Sequence, residues 1–384
     1  MAKEGLNVAP AWLRGVVAAL FLAAVPAVAD LYFRAYGPRG ALMVRKPELT
    51  WEVWADDAKS ITGFDAELNG QEVPCRYDPD RRRVVATIDA LEPGHYQAAI
   101  RVHYQGGNTH SKEWTFDVRP DALPALEAPN EDQKAAIVAA NDLRRKMGLG
   151  EFVMDDRVNA ASLAHAKYLE ANSAFGHEEI PGKPGFVGKT HRERLEAFGY
   201  VGTAAENIAF GSDSAADAIA GLIDAPYHRM ALLQPGKLQF GCGKAGKVLA
   251  MACATSETPA VVMYPYDGQV GVPTAWSKPE VPDPLAIHNL SGEKVGYVVS
   301  FAVTSSSPVQ VRFDETRLQT AAGAEVPVLV NTPINDKNLT REAFLIPASP
   351  LAPNTEYVAT VKVVVDRPDG PDTIAKTWRF KTGR

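Results

Sequence analysis

Apolar and polar residues alternate with a period of two in the first and last thirds of the chain. The alternating runs lie at 49–54, 84–88, 96–104 and 114–118, and again at 295–303, 309–313, 357–365 and 378–380. Turn residues separate these runs, which is typical of antiparallel strands with one buried face. The pattern predicts an all-β sandwich at each end of the chain.

The two predicted sandwiches share a sequence cadence. L-E-P-G at 91–94 and L-A-P-N at 351–354 each precede a tyrosine and a strand, and both regions end on a Trp-x-Phe strand. This turn into a strand resembles bacterial immunoglobulin-like modules. We therefore expect immunoglobulin-like domains over 40–119 and 285–384.

The centre of the chain changes to a helical period. Asn130 can cap a helix that carries Gln133 inside its first turn and ends at Gly148. A second helix is predicted over 156–171, and two more begin at the capping boxes 190–193 and 214–217. Short apolar runs at 238–243 and 248–254 predict a hairpin. Helices on a hairpin sheet make an α+β layer domain, which we expect over 128–256.

Two proline-rich segments separate the three predicted domains. They lie at 119–130 and 272–284, and their composition is typical of semi-rigid spacers. We expect residues 257–284 to form the linker between the central and C-terminal domains.

The N-terminus has the pattern of an export signal. Lys3 and Arg14 precede an uncharged run over 15–29 that ends in A-V-A at 27–29. This predicts a signal peptide over 1–29 and a secreted, periplasmic or cell-envelope location. The run is shorter than the roughly 20 residues that span a bilayer, so a retained anchor is the less favoured alternative.

Composition limits the class of protein. Hydrophobic residues make up 46% and charged residues 22% of the chain, values typical of a globular protein rather than a disordered or polytopic membrane protein. The formal charge of -6 argues against nucleic acid as a partner. The basic clusters at 81–83 and 144–145 have no interleaved aromatic residues, and we interpret them as solvated surface.

The central region contains six motifs in a fixed order. The first is N-D-L-R-R-K-M-G-L at 141–149, and the later blocks are H-A-K-Y at 165–168, G-H-E at 176–178, A-E-N-I-A at 205–209, A-P-Y-H-R at 225–229 and F-G-C-G at 240–243. Together they resemble the CAP superfamily of cysteine-rich secretory, antigen 5 and pathogenesis-related proteins, whose opening motif is N-x-x-R-x-x-x-G-L. The resemblance implies an α-β-α sandwich whose central cleft gathers two histidines and two acidic residues.

Carried over one residue at a time, the cleft contains His177, Glu206 and His228. The family's second glutamate falls on Ala225, so a fourth member is missing unless Asp224 turns inward. Two imidazoles and one carboxylate can bind Zn²⁺ or another divalent cation, with water in the open position. The alternative is a buried histidine–glutamate hydrogen-bond network that fixes the loops.

The motifs favour a binding protein over an enzyme. The chain has no Gly-rich phosphate loop, Gly-x-Ser-x-Gly elbow or His-Glu-x-x-His helix. We expect an exported CAP-domain protein that binds a metal, a small apolar or lipid molecule, or a glycan, with cell-surface proteins as further partners. One alternative is a metal-dependent hydrolase in which Asp224 or Glu178 is the base. The other is a purely structural or adhesive surface protein.

The remaining predictions concern one histidine and the three cysteines of the chain. His165 shares an apolar helical face and is predicted to be a packed core histidine. Cys242 and Cys253 lie nearly symmetrically about the turn at 244–247, which predicts a disulfide between opposed strands, with two reduced buried thiols as the alternative. Cys75 stays unpaired in both cases.

Overall fold

The computed structural model describes residues 31–56, 61–277 and 280–384. The predicted signal segment 1–29 lies outside these ranges. The described chain forms an N-terminal β module, a central α/β domain and a C-terminal β module, in the order that the sequence predicts. Within these ranges, no helix has the length and apolar character needed to cross a bilayer.

The N-terminal module consists of two packed sheets. Its strands are β1 (Leu31–Gly37), β2 (Gly40–Val44), β3 (Glu48–Ala55), β4 (Ile61–Leu68), β5 (Gln71–Val73), β6 (Cys75–Asp78), β7 (Arg83–Thr87), β8 (Gly94–Tyr104) and β9 (Asn108–Leu123). One sheet has the order β1-β3-β7-β6 and the other β2-β9-β8-β4-β5. All pairs are antiparallel except β2 with β9.

The period-two pattern builds this core as predicted. Leu49, Trp51 and Val53 of β3 face inward and are at most 2% exposed. They pack in one cluster with Ile100 of β8 and Phe116 of β9, which belong to the opposite sheet. The sandwich is therefore confirmed, while its immunoglobulin-like type stays a prediction.

The central domain is an α-β-α sandwich. Its elements are α1 (Glu131–Lys146), β10 (Val153–Met154), α2 (Asp156–Asn172), α3 (His191–Ala197), β11 (Ala204–Phe210), α4 (Ala215–Asp224), α5 (Pro226–Leu232), β12 (Gln239–Ala245) and β13 (Val248–Ala254). The sheet order is β10-β12-β13-β11. Apolar side chains of α1, α4 and α5 pack on one face, and those of α2 and α3 on the other. This is the layer arrangement that the family resemblance implies.

Local capping signals fix the helix ends. The Asn130 side chain accepts from the Gln133 backbone N–H and the Gln133 side chain accepts from the Asn130 backbone, so the capping box is complete. Gly148 follows α1 with φ at +68°, a left-handed conformation that suits glycine. The hydroxyls of Thr190 and Ser214 cap α3 and α4 as predicted.

The C-terminal module also contains two packed sheets. Its strands are β14 (Ala260–Tyr264), β15 (Gln269–Val272), β16 (Ala275–Trp276), β17 (Val295–Gly296), β18 (Val299–Thr304), β19 (Gln310–Thr320), β20 (Val328–Asn331), β21 (Glu342–Pro347), β22 (Glu356–Arg367) and β23 (Gly370–Thr382). The sheet orders are β14-β18-β21-β20 and β15-β23-β22-β19. Phe301, Phe344, Val361 and Trp378 join the two sheets in one core.

The predicted linker over 257–284 is wrong in extent. Strand β14 lies inside that range and pairs with β18 from Ala260–Thr304 to Tyr264–Ser300. Strand β15 pairs with β23, and β16 with β17. Three of the six prolines of this segment, at 259, 265 and 273, stand between these strands, where a missing N–H breaks no sheet ladder. The segment is therefore part of the C-terminal module.

The disulfide prediction is wrong as well. Cys242, Cys253 and Cys75 are all free. The tight turn pairs Ala245 with Val248, so Cys242 faces Met251 and Cys253 faces Phe240. The two cysteines are therefore offset by two residue positions along the hairpin and do not face each other. Each packs as a small buried hydrophobic side chain.

Thiol labelling checks this arrangement. Burial raises the pKa of Cys242 and of Cys253 to about 12, so neither forms a thiolate at pH 8. We expect a disulfide-exchange reagent to label only the half-buried Cys75 in the native protein and all three cysteines after unfolding without reductant. A single reactive thiol in the unfolded, unreduced chain would contradict this and restore the disulfide.

Candidate functional site

The first predicted site histidine contacts the predicted glutamate. His177 lies in the loop between α2 and α3, and its Nδ1 is 2.9 Å from Oε1 of Glu206 on β11. The His177 side chain is 53% exposed, whereas that of Glu206 is 6% exposed. A carboxylate can only accept, so the Nδ1–H of His177 is the donor in this contact.

An arginine that the sequence analysis did not single out neutralises this glutamate. Nη2 of Arg194 on α3 lies 3.0 and 2.8 Å from the two carboxylate oxygens of Glu206. Burial on its own would raise the pKa of Glu206, but the hydrogen bond from His177 and the charge of Arg194 outweigh it and lower the pKa. Glu206 is therefore an ionised carboxylate whose oxygens are already engaged.

The ionic chain continues into the core. Nε of Arg194 lies 3.7 Å from Oε1 of Glu179, and the same oxygen is 2.9 Å from Nδ1 of His165. The side chains of Glu179 and His165 are fully buried, and Glu179 also accepts from the backbone N–H of Val187 at 2.8 Å. His165 is a core histidine, as predicted, and it anchors a network that reaches the surface at His177.

The second predicted histidine has a different partner. Nδ1 of His228 is 2.7 Å from Oε2 of Glu280, which lies in the segment predicted to be a linker. The same oxygen accepts from the backbone N–H groups of Tyr227 and His228 at 3.0 and 3.2 Å. Ala225 is the N-cap residue of helix α5 and provides no side-chain cap. Glu280 therefore caps this helix from a distant part of the sequence.

The fourth predicted residue turns towards the C-terminal module. Asp224 Oδ1 accepts from the Tyr297 hydroxyl at 3.0 Å. The neighbouring Arg229 is fully buried, donates to the carbonyl of Val298 at 2.9 Å and lies over the rings of Tyr264 and Tyr297. The A-P-Y-H-R block is thus a docking surface for the C-terminal module.

The structure brings His177 and Glu206 together but does not pair them with His228 or Asp224. Side chains alternate along β11, so Glu206 shares a face with Ala204 and Ile208 under α2 and α3. Asn207 points to the other face and donates to the backbone carbonyl of His228 at 2.8 Å.

The predicted metal ligands do not fit a divalent ion. In the described ranges, no group of three or more His, Cys, Asp or Glu side chains is arranged to hold a metal. The cationic Arg194 occupies both oxygens of Glu206, where a metal would have to bind. Glu178, the alternative base, is 66% exposed beside Lys189 at 3.8 Å. The histidine–glutamate network is therefore the arrangement that forms.

Three residues of the site were missed from sequence. Arg194 and Glu179 carry no motif of their own, and their role follows only from the folding of the loop between α2 and α3. Glu280 had one signal, because it is a lone carboxylate within the proline-rich K-P-E-V-P segment. The family pattern has its second glutamate at position 225, where this chain has alanine. Glu280 is the carboxylate that contacts His228 instead.

Cavities lie where the central domain meets the two β modules. Two of them, of 660 and 470 Å³, are lined by the N-terminal module together with residues 200–204. The larger one also includes Thr255, Thr258 and Ser306, and the smaller one includes residues of α3. A third, of 340 Å³, lies between α5 and strands β14 and β18 of the C-terminal module, and its wall includes Met230, Leu233, Val262 and Val303. These three cavities therefore lie at the junctions between modules.

The fold and the paired histidines define a CAP-like domain held between two β modules. Residues 138–247 match the family model described as CAP, the cysteine-rich secretory protein family. The chain therefore contains a CAP domain. No curated protein matches the chain.

Several solved structures are similar to parts of the chain. An extracellular protein with an SCP domain from Bacillus anthracis is 16% identical, with a TM-score of 0.29, over 58% of this chain and 67% of that one. A cysteine-rich secretory protein from Staphylococcus aureus is 11% identical, with a TM-score of 0.25, over 59% and 84%. An outer surface protein from Borrelia burgdorferi is 17% identical, with a TM-score of 0.29, over 35% and 98%.

Replacing Glu280 with glutamine tests the role of this residue. The change keeps the shape but removes the charge that His228 and the start of α5 contact. We expect the free energy of unfolding to fall by about 1.5–3 kcal/mol, the usual worth of hydrogen bonds to a charged group. Urea unfolding measures it, with the exposed Glu293→Gln as the control. Equal stability of both variants would show that Glu280 does not hold α5.

Proposed function

We propose that the chain is an exported binding protein without catalytic activity, which takes up its ligand at the junctions between the CAP domain and its flanking modules. One observation carries this proposal. The family histidines are each tied to a carboxylate in a network that holds loops or modules together, while the cavities lie at the junctions. A binding protein needs cavities that can hold a ligand, but it does not need a side chain that is available for catalysis.

The hydrolase alternative has less support. A metal-dependent hydrolase would need open ligand positions and a base beside the bound water. Here the oxygens of Glu206 face Arg194, and Oε2 of Glu280 faces three donors. The two histidine pairs support the architecture of the domain better than the activation of water.

Export is supported by the sequence. The charged start, uncharged run and A-V-A site over 1–29 have the pattern of a secretory signal. The CAP match belongs to a family described as secretory. Cys242 and Cys253 do not add to this support, because they are free and buried.

The experiment blocks a junction and measures binding. Thr203 is exposed and lines both cavities beside the N-terminal module, so Thr203→Trp should fill the space without disturbing a core. The matched control is Thr373→Trp, on an exposed position of β23. The probes are maltotriose, trigalacturonic acid and oleate, each titrated by calorimetry.

We expect at least one probe to bind the wild type and the Thr373→Trp control, and to bind Thr203→Trp at least tenfold more weakly. Binding of none, or equal binding to all three proteins, would overturn a ligand site at this junction. Zinc-dependent hydrolysis of casein or peptidoglycan that is lost in His228→Gln would overturn the non-catalytic assignment.

A further inference from the structure

The two cavities beside the N-terminal module form one surface, which we name the N-terminal junction groove. Arg34, Ala35, Gly202 and Thr203 line both of them. Strand β1 provides one wall, and the segment between α3 and β11 provides the other. With parts of 660 and 470 Å³, the groove is large enough for a ligand of several linked units.

Arginines dominate the charge of this groove. Its arginines are Arg34, Arg39, Arg81, Arg82, Arg83 and Arg192, and its carboxylates are Glu52, Asp80, Glu196 and Glu257. The groove thus carries an excess of positive charge on a chain whose formal charge is -6. A local field opposite in sign to the overall charge favours an anionic ligand at this place.

Aromatic packing positions two of these arginines. The guanidinium carbons of Arg34 and Arg82 lie 4.8 and 5.7 Å from the centre of the Trp54 ring. Tyr32 stacks on the same ring at 5.2 Å. A guanidinium over a ring keeps its N–H edge available while its orientation is restricted. Arg34 is already paired with Glu257, whereas Arg82 is exposed and is held at the groove before a ligand arrives.

Two further arginines have incomplete hydrogen bonding. Nη1 of Arg83 donates to the Val201 carbonyl at 3.0 Å, but among the described residues Nε of Arg83 and Nε of Arg39 have no partner. Burial lowers the pKa of Arg83, which reflects the cost of keeping this charge in the wall of the groove. A nearby anion would offset that cost.

The neutral lining narrows the class of anion. Hydroxyl and amide side chains share the groove with the arginines, namely Thr203, Gln239, Thr255, Thr258 and Ser306. These groups and the four carboxylates can exchange hydrogen bonds with a ligand rich in hydroxyls. A sugar acid carries both carboxylates, which the arginines can bind, and hydroxyls, which these neutral side chains can bind. The lining therefore suits an acidic sugar chain.

We propose that the N-terminal junction groove binds an acidic oligosaccharide, whose carboxylates contact Arg82 and Arg192 at its two ends. This inference rests on the proposed function and names the ligand class of the same junction. Arg82 is exposed, and Arg192 is 66% exposed and donates through Nε to Glu196 at 3.0 Å. The remaining N–H groups of both guanidinium groups can donate to a carboxylate of the ligand.

The test compares trigalacturonic acid with maltotriose, which has the same number of sugar units and no charge. We expect the acid to bind the wild type and maltotriose to bind at least tenfold more weakly. The Arg82→Gln/Arg192→Gln variant should bind the acid about tenfold or more weakly, because each lost charged contact changes affinity by roughly that factor. The binding should also weaken between 50 and 300 mM salt.

The matched control is Arg312→Gln/Arg379→Gln, which makes the same change in net charge at positions of the C-terminal module that are 65% and 60% exposed. It should bind like the wild type. Equal loss in both variants would overturn the groove as the site. Maltotriose could also bind as tightly as trigalacturonic acid and lose this binding in Thr203→Trp. That result would overturn the acidic ligand class and leave the proposed function standing. Displacement by equimolar inorganic phosphate or by a DNA oligomer would also overturn the assignment to a sugar acid.

Discussion

Replacing Arg144 with methionine should lower the free energy of unfolding by about 4–6 kcal/mol, enough to unfold much of the CAP domain. Arg144 is 1% exposed and has no carboxylate partner in its hydrogen bonds. It donates instead to the backbone carbonyls of Gly150, Leu232, Gln234 and Gly236. Methionine would leave these oxygens buried without donors, and each such loss costs about 1–3 kcal/mol.

The neighbouring arginine provides the control. Arg145 lies on the same helix, is 54% exposed and pairs with Asp142, so Arg145→Met should change the stability by about 0.5 kcal/mol or less. Urea unfolding followed by circular dichroism measures both variants. Arg144→Lys should also be unstable, because an ammonium group cannot reach four carbonyls in the fork geometry of a guanidinium. A stable Arg144→Met protein would show that water replaces these contacts.

This arginine also corrects a prediction. The sequence predicts a solvated cluster at 144–145, but Arg145 is exposed and Arg144 is buried. Burial lowers the pKa of Arg144 to about 10, since the guanidinium leaves water without gaining a counter-charge. The burial of Arg144 could not be predicted from charge alone. Two adjacent basic residues look the same in the sequence whether they bind backbone carbonyls or face solvent.

Features set by nearby residues were predictable. The caps at Asn130, Thr190 and Ser214 each involve a residue three positions away, so spacing was sufficient to place them. The period-two strands were equally clear, because alternation records which face is buried. The layers of the CAP domain followed from its motifs.

Features set by distant partners were not predictable. Glu280 contacts His228, which is 52 positions away in the sequence, and the residues near either side chain do not predict this contact. The register of the β12–β13 hairpin depends on a turn between Ala245 and Val248, and a shift of two positions separated Cys242 from Cys253. A symmetric spacing about a turn therefore suggests opposed residues but does not fix which residues meet.

The F-G-C-G block has a physical explanation in the contact between α2 and the sheet. A Cβ built at Gly243 would lie 2.1 Å from Cα and 2.2 Å from the backbone nitrogen of Leu163. One at Gly241 would lie 2.4 Å from the backbone nitrogen of Asn159. These positions on β12 face the backbone of α2, so the helix approaches the strand only because both lack side chains.

Replacing Gly243 with alanine should therefore destabilise the CAP domain by about 3 kcal/mol or more, because the helix backbone, unlike a flexible side chain, cannot move aside locally. The control is Gly221→Ala on α4, where an added Cβ meets nothing within 4 Å and the helix should gain up to about 1 kcal/mol. Thermal and urea unfolding of both variants would measure the difference. Equal stability of Gly243→Ala and the wild type would mean that α2 shifts freely on the sheet, and the close packing of this layer would then not determine the fold.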